Sequence, residues 1–313
     1  MDKKTALTDF NHTDWLARFS EASRNQDGFR ELRKEIFSDT VRIVRAGAYS
    51  INGMDVTISN DGITEKTILY RDAFRMPDPP TRYQTAFSVI NADCLETANV
   101  LLKAGKKPCV LNMASRQNPG GGVFNGAGAQ EENLFRRTNL FLSLYQFADF
   151  AEQYDIHRSK DSYPLDRDFG GVYSPGITVF RGSEANGYCL LSKPYMVSVV
   201  SVPAVNHPDL ERGSSGAMRI AQPHIEATKN KIRTIFRIAA AHSHDALVLG
   251  AFGCGAFANP PRHIAEIFRE VFSEDEFIGQ FETVVFSIID DHNSRKAHNP
   301  HGNVLPFLEV FGS

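Results

Sequence analysis

Between residues 12 and 47 the apolar positions recur three to four apart. Trp15, Phe19 and Ala22 share one helical face, and Phe29, Leu32, Ile36, Val41 and Ile43 line another, which predicts two helices. Over residues 47–61 the period drops to two around Tyr49, Ile51, Val56 and Ile58, with Asn52-Gly53 as the turn of a hairpin. A connector rich in proline and arginine covers 71–83.

Strand and helix patterns then alternate. Short β-type runs are expected over 86–90, 108–113, 176–180, 195–202, 246–249 and 283–289, and helices over 95–104, 222–242 and 261–272. A longer helix is predicted over 131–154, where Leu134, Thr138, Phe141, Tyr145 and Ala148 fall on one face. This alternation predicts an α/β layered fold with a largely parallel central sheet. No internal repeat or low-complexity block interrupts it.

Composition narrows the picture only slightly. The 313 residues carry 34 Lys and Arg against 37 Asp and Glu, a formal net charge of −3, so a surface coated by nucleic acid or acidic lipid is not expected. The opening MDKKTALTDFNHTDW has no apolar core for a secretory signal, and no apolar run reaches the length of a membrane span. Four cysteines without a CxxC pair give neither a zinc site nor a disulfide framework, which points to a reduced, cytoplasmic setting.

The chemistry-bearing residues lie in two glycine-rich loops. In the first, the apolar run ending at Met113 leads into Gly120, Gly121, Gly122, Gly126 and Gly128 and then to Gln130, Glu131 and Glu132 at the start of a helix. Glycine lets backbone N–H groups approach an anion, while two acids at a helix start also suit the macrodipole. In the second, residues 246–261 read as strand, glycine loop and a helix opened by Pro260-Pro261, with Gly250, Gly253 and Gly255 as an amide cradle suited to a diphosphate. Two such loops after buried strands are expected at the carboxyl edge of one sheet.

The glycine triplet, seven further residues and Gln130-Glu131-Glu132 resemble the signature of bacterial-type poly(ADP-ribose) glycohydrolases. The resemblance extends to SVINADCLETA from residue 88, YSPGITVFRG from 173, GAFGCGAFANP from 250 and ELRKEIFSDTVRIVRAGAY from 31. It implies a macrodomain-like three-layer α/β/α fold with a mixed, largely parallel sheet. Residues 1–80 would form a helical extension packed on a catalytic core of residues 81–313. It implies Glu132 as catalytic acid and Glu131 as the holder of distal-ribose hydroxyls. It further implies Asp93 as acceptor for the adenine amino group, Ser115 as a ribose contact, and Gly253, Cys254, Gly255, Ala256 and Phe257 as the diphosphate loop, with Phe257 against the distal ribose. Gln130 and the triplet complete the signature, and Phe124 inside the loop offers an aromatic surface to a ribose or base.

The implied reaction is hydrolysis of ribose–ribose O-glycosidic bonds, which needs an acid to protonate the leaving oxygen. A helix N-terminus favours the carboxylate, whereas the neighbouring acid and an incoming diphosphate favour its protonated form. Helical neighbours diverge by about 100°, so the two acids are not expected to face each other as in ordinary glycosidases. The implied partners are ADP-ribose and poly(ADP-ribose) or ADP-ribosylated macromolecules, with no cofactor, no metal, no membrane and no sequence-specific nucleic acid, on a monomer. An ADP-ribose-binding macrodomain without turnover, a mono-ADP-ribosyl hydrolase, and an NAD(P) oxidoreductase reading of the GxGxxA string at 253–258 stay open. Asp290, Asp291 and His292, and also His298 and His301, read as solvated polar segments rather than ligands, and Cys254 as a small packing residue.

Overall fold

The computed structural model describes residues 10–25, 28–76, 83–214, 216–290 and 296–312. Along the chain lie α1 (His12–Asn25), α2 (Phe29–Ala46), β1 (Ala48–Ile51), β2 (Met54–Thr57), α3 (Ile63–Lys66), β3 (Ile68–Tyr70), β4 (Ala86–Ile90), α4 (Cys94–Lys103) and β5 (Pro108–Met113). There follow α5 (Gln130–Arg137), α6 (Leu140–Tyr145), β6 (Gly171–Arg181), β7 (Leu190–Val202), β8 (Leu210–Arg212) and β9 (Met218–Ile220). The chain closes with α7 (Gln222–Ala241), β10 (Ala246–Leu249), α8 (Pro261–Phe272), β11 (Thr283–Ser287) and α9 (Val304–Phe311). No helix among the described residues is long and apolar enough to cross a membrane.

The chain forms two compact units. The first takes residues 1–67, 117–164 and 174–197, the second residues 68–116, 165–173 and 198–313. The second holds the sheet, whose strand order is β3-β6-β7-β5-β10-β11-β4, with β6 and β7 running on along the chain into the first unit. β5 pairs in parallel with β7 and β10, and β11 with β10 and β4, while β3 is antiparallel to β6. The parallel strands are buried on both faces, which explains their apolar runs. Cys109, Leu111, Leu247, Leu249, Val284 and Phe286 join the α7, α8 and α9 core, and the alternate residues Val110, Val248 and Val285 are equally buried on the side that bears α4. Helices on both faces make the three α/β/α layers.

The first unit is built on α1, α2 and the β1–β2 hairpin, where Asn52 (φ 51°) and Gly53 (φ 76°) take the left-handed conformation that a two-residue hairpin turn requires. Trp15 stacks on Phe19 at 4.6 Å, meets Tyr188 edge-on and donates its indole N–H to the Leu32 carbonyl at 3.0 Å.

The predicted helix over 131–154 is three pieces: α5, α6 and a 3-10 turn at Ala151–Tyr154. Thr138 breaks it by adopting an extended conformation and bridging to Val179, with its hydroxyl on the Leu134 carbonyl. Asn139 then binds Ser59, Asn60 and the Thr178 amide through its side chain. Partners distant in sequence override the helical period, although all five face residues named for that helix are buried. β6 and β7 begin earlier than expected, and α9 and the short strands β3, β8 and β9 are additions to the expected set. Part of the 71–83 connector, and Asp291 and His292, lie outside the described residues.

Candidate active site

The first glycine loop belongs to the first unit. Gly120 and Gly121 have φ of 81° and 56°, so the chain turns there in a conformation that side chains disfavour. All three amides of the triplet are engaged inside the protein. Gly120 N–H donates to Glu131 Oε1 at 3.1 Å, Gly121 N–H to the Asn118 carbonyl at 2.9 Å and Gly122 N–H to Glu132 Oε1 at 2.7 Å. The anion that this loop cradles is therefore the protein's own carboxylate pair rather than a diphosphate.

α5 starts behind Ala129 without a side-chain cap, and its first-turn acids bend back to the loop amides instead. They meet at one point: a Cβ on Gly121 would stand 2.5 Å from Glu132 Oε1 and 3.0 Å from Glu131 Oε2. The divergence expected of helical neighbours is overcome by side-chain torsions, and both carboxylates border the same glycine. Both residues are buried, at 4% and 6% exposure. Glu132 Oε2 is buried and has no hydrogen-bond partner among the described residues. An acceptor left in that state costs free energy unless a proton or a guest donor satisfies it. The arrangement therefore presents one anchored oxygen and one buried oxygen without a bond among the described residues.

The sequence reading missed what holds the loop. A Cβ on Gly126 would lie 2.1 Å from the Arg30 carbonyl, and one on Gly128 would lie 2.4 Å from the Arg33 guanidinium, so α2 lies directly against the loop. Arg136, fully buried on α5, donates to the Ala127 carbonyl and the Tyr188 hydroxyl, both at 2.8 Å, and Thr40 donates to the Arg136 carbonyl at 2.5 Å. Arg33 grips Glu184 with two bonds of 2.7 and 2.8 Å; burial opposes ionisation of Glu184, and the Arg33 fork overrides it, holding the carboxyl below its usual range. The signal was available only as arginines among the apolar positions of α2 and α5.

Phe124 stands on a 3-10 turn within the loop, 45% exposed. Phe37, Tyr145, Phe150 and Tyr154 surround its inner side with ring centroids 5.8–6.4 Å away, which fixes the ring while leaving one face open. Gln130, half-buried, opens α5 immediately before the acids.

The remaining residues lie in the second unit. Asp93 follows β4, Ser115 follows β5 and residues 253–257 follow β10, and these strands run parallel, so all three segments leave the same carboxyl edge of the sheet. Asp93 caps α4, its Oδ1 accepting from the amides of Leu95 and Glu96 at 3.0 Å each. Ser115 is half-buried and precedes by two residues the segment entering the first unit.

The 253–257 loop is closed by Asn259, whose side-chain amide donates to the carbonyls of Val205, Gly253 and Phe257. A Cβ on Gly253 would lie 2.5 Å from that amide, so glycine is required at φ 73°. Cys254 is fully buried, its thiol facing the Phe252 carbonyl at 3.7 Å and pushed far up by burial, so no thiolate forms there. Gly255 and Phe257 are half-buried and Ala256 is exposed. His298 reaches the Cys254 backbone, a contact that its position in a polar segment gave no reason to expect. No group of three or more His, Cys, Asp or Glu suited to a metal occurs among the described residues.

A family model, microbial-type PARG (poly(ADP-ribose) glycohydrolase) catalytic domain, matches residues 38–182. The poly(ADP-ribose) glycohydrolase of Thermomonospora curvata, solved with the inhibitor ADP-HPD, is 30% identical and superposes with a TM-score of 0.68 over 88% of this chain and 98% of that one. The chain belongs to the microbial-type poly(ADP-ribose) glycohydrolase family. The family's Deinococcus radiodurans member, solved with ADP-ribose, is 29% identical with a TM-score of 0.60, covering 82% of this chain and 99% of that one. No curated protein matches the chain. The family match spans both the glycine triplet and the acidic pair.

Proposed function

We propose that this protein is a poly(ADP-ribose) glycohydrolase that hydrolyses ribose–ribose O-glycosidic bonds and releases ADP-ribose, with Glu132 as general acid. The observation that carries the reading is the asymmetry at Glu132: Oε1 is fixed by the Gly122 N–H at 2.7 Å, and Oε2 is buried without a partner among the described residues. A proton on Oε2 passes to the leaving ribose oxygen as the C–O bond breaks, while the distal ribose becomes oxocarbenium-like. Water then adds to the anomeric carbon and its proton restores Glu132. Glu131, tied to Gly120, holds ribose hydroxyls.

On this reading the adenine amino group goes to Asp93, the diphosphate to the amides of residues 253–257, and the riboses to Ser115 and Phe257. The parallel strands β4, β5 and β10, which lead into residues 93, 115 and 253, support a ligand laid along that sheet edge. Binding of the diphosphate by backbone amides suits a chain of net charge −3 acting on an anionic polymer. The test is incubation of the purified protein with poly(ADP-ribose), followed chromatographically. Release of monomeric ADP-ribose is expected, and an intact polymer after prolonged incubation would remove the proposal.

A further inference from the structure

Tyr188 is fully buried and holds a φ of 52°, a left-handed conformation that a bulky side chain rarely adopts. Such strain persists only where the surroundings over-determine it, and it gathers at functional sites. Here the surroundings are specific. The Tyr188 amide closes its turn on the Ser183 carbonyl at 3.0 Å, and Trp15 of α1 meets the ring edge-on at 5.1 Å. A Cβ on the preceding Gly187 would lie 2.7 Å from the His12 carbonyl, so α1 abuts the turn as well.

The hydroxyl that this strained residue places is fully engaged. Its proton goes to Glu184 Oε2 at 2.9 Å, and its oxygen accepts from Arg136 Nε at 2.8 Å and Asn133 Nδ2 at 3.3 Å. On one side Glu184 is held by the Arg33 fork. On the other, Arg136 Nη1 donates to the Ala127 carbonyl at 2.8 Å, the Ala127 amide to the Gly122 carbonyl at 3.2 Å, and the Gly122 amide to Glu132 Oε1 at 2.7 Å. An unbroken run of hydrogen bonds therefore joins the Arg33–Glu184 pair to the fixed oxygen of Glu132, all within the first unit. Arg136 Nη2 is buried without a partner among the described residues, so the bonds to Tyr188 and Ala127 set how the guanidinium lies.

We propose that Tyr188 is a positioning residue for the general acid: through Arg136, Ala127 and Gly122 its hydroxyl sets the seat of Glu132 Oε1. Loss of the hydroxyl frees the guanidinium to turn, and the Ala127–Gly122 segment shifts with it. The inference rests on the reading of Glu132 as general acid proposed above.

Tyr188→Phe removes one oxygen and keeps the ring. On poly(ADP-ribose) its kcat is expected to fall at least about fivefold with KM within about twofold of wild type, because a misplacement of about 1 Å is costly to turnover. A merely structural defect would lower turnover in any background, and a double-mutant cycle with Glu132→Gln tells the two apart. A hydroxyl that acts through Glu132 has nothing to position once the transferable proton is gone, so in the Glu132→Gln background the residual single-turnover rate should change by less than about threefold on adding Tyr188→Phe. A larger loss in that background, a smaller loss of kcat in the single variant, or an effect confined to KM overturns the inference alone. Wild-type protein that leaves the polymer intact, or full turnover by Glu132→Gln, overturns the proposed function and this inference with it. Should thermal unfolding show that Tyr188→Phe does not fold, Glu184→Gln, which removes the charge that receives the Tyr188 proton, carries the same cycle.

Discussion

Glu132 takes the Gly122 N–H on Oε1 at 2.7 Å and leaves its buried Oε2 unpaired among the described residues. One carboxylate thereby has an oxygen that fixes its position and, on the proposed function, an oxygen for the substrate. Glu132→Gln keeps an oxygen for Gly122 and removes the transferable proton. It is expected to bind ADP-ribose within about threefold of wild type and to lose roughly 10²–10⁴-fold in kcat, the usual range for a general acid. Calorimetry and single-turnover cleavage measure the two quantities, and a fully active variant would remove Glu132 as the acid.

Gly121 separates the two acids. A methyl group there would stand 2.5 Å from Glu132 Oε1 and 3.0 Å from Glu131 Oε2, on a residue with φ of 56°. Gly121→Ala is expected to cost about 1–2 kcal/mol of stability through the left-handed conformation. By displacing both carboxylates it also lowers kcat by about 100-fold. Denaturant unfolding and kcat report the effects separately. Near-normal turnover would show that the acids need no such precise seat.

Asp93 combines a helix cap with the proposed adenine contact. Asp93→Ala loses both, whereas Asp93→Asn keeps an acceptor oxygen for the Leu95 and Glu96 amides. Stability is expected to fall by about 1 kcal/mol in the alanine variant and little in the asparagine variant. Both weaken ADP-ribose binding if the charge accepts the adenine amino group. Unchanged dissociation constants would place adenine elsewhere.

Phe124 is an aromatic surface fixed from behind by four rings, with 45% of its area free. Phe124→Ala is expected to raise KM for the polymer about 5- to 20-fold, the worth of one stacking contact of roughly 1–2 kcal/mol. Affinity for free ADP-ribose separates a contact within the ADP-ribose unit from one to the polymer beyond it. An unchanged KM would make the ring structural.

His263 supplies a pH dependence of stability. Its Nδ1 accepts the Ile220 amide at 2.8 Å, and burial, aided by Arg219, lowers its pKa to about 4 from an unfolded value near 6.5. Between these values the unfolded chain binds a proton that the native state refuses. The stabilisation is therefore complete above pH 6.5 and lost as pH falls toward 4. The stability gap between wild type and His263→Gln is expected to narrow by about 2 kcal/mol from pH 7 to pH 4.5. Denaturant titrations at the two pH values measure it, and a constant gap would exclude the histidine as the source.

Much of this molecule is written in local pattern. α2, β5, β10 and α8 follow from hydrophobic period and from punctuation such as Pro260-Pro261, because each buries one stripe or both faces of a short element. The spacing from Gly120 to Glu132 likewise exposes the glycine loop and the acids, since a tight turn and a helix start leave local signals. Periodicity cannot reveal where long-range partners compete. Thr138 ends α5 because Val179 offers it a bridge, and the pattern over 131–154 contains no trace of that bond. Nor does adjacency in sequence tell where two carboxylates point. Glu131 and Glu132 reach one glycine because the loop folds its amides back to them, while α2 lies against that loop at Arg30 and Arg33 and Arg136 of α5 donates to its Ala127 carbonyl. The chemistry was spelled by residue type and spacing; its geometry, including the two loop amides that hold Glu131 and Glu132, was decided only when burial brought distant polar groups together.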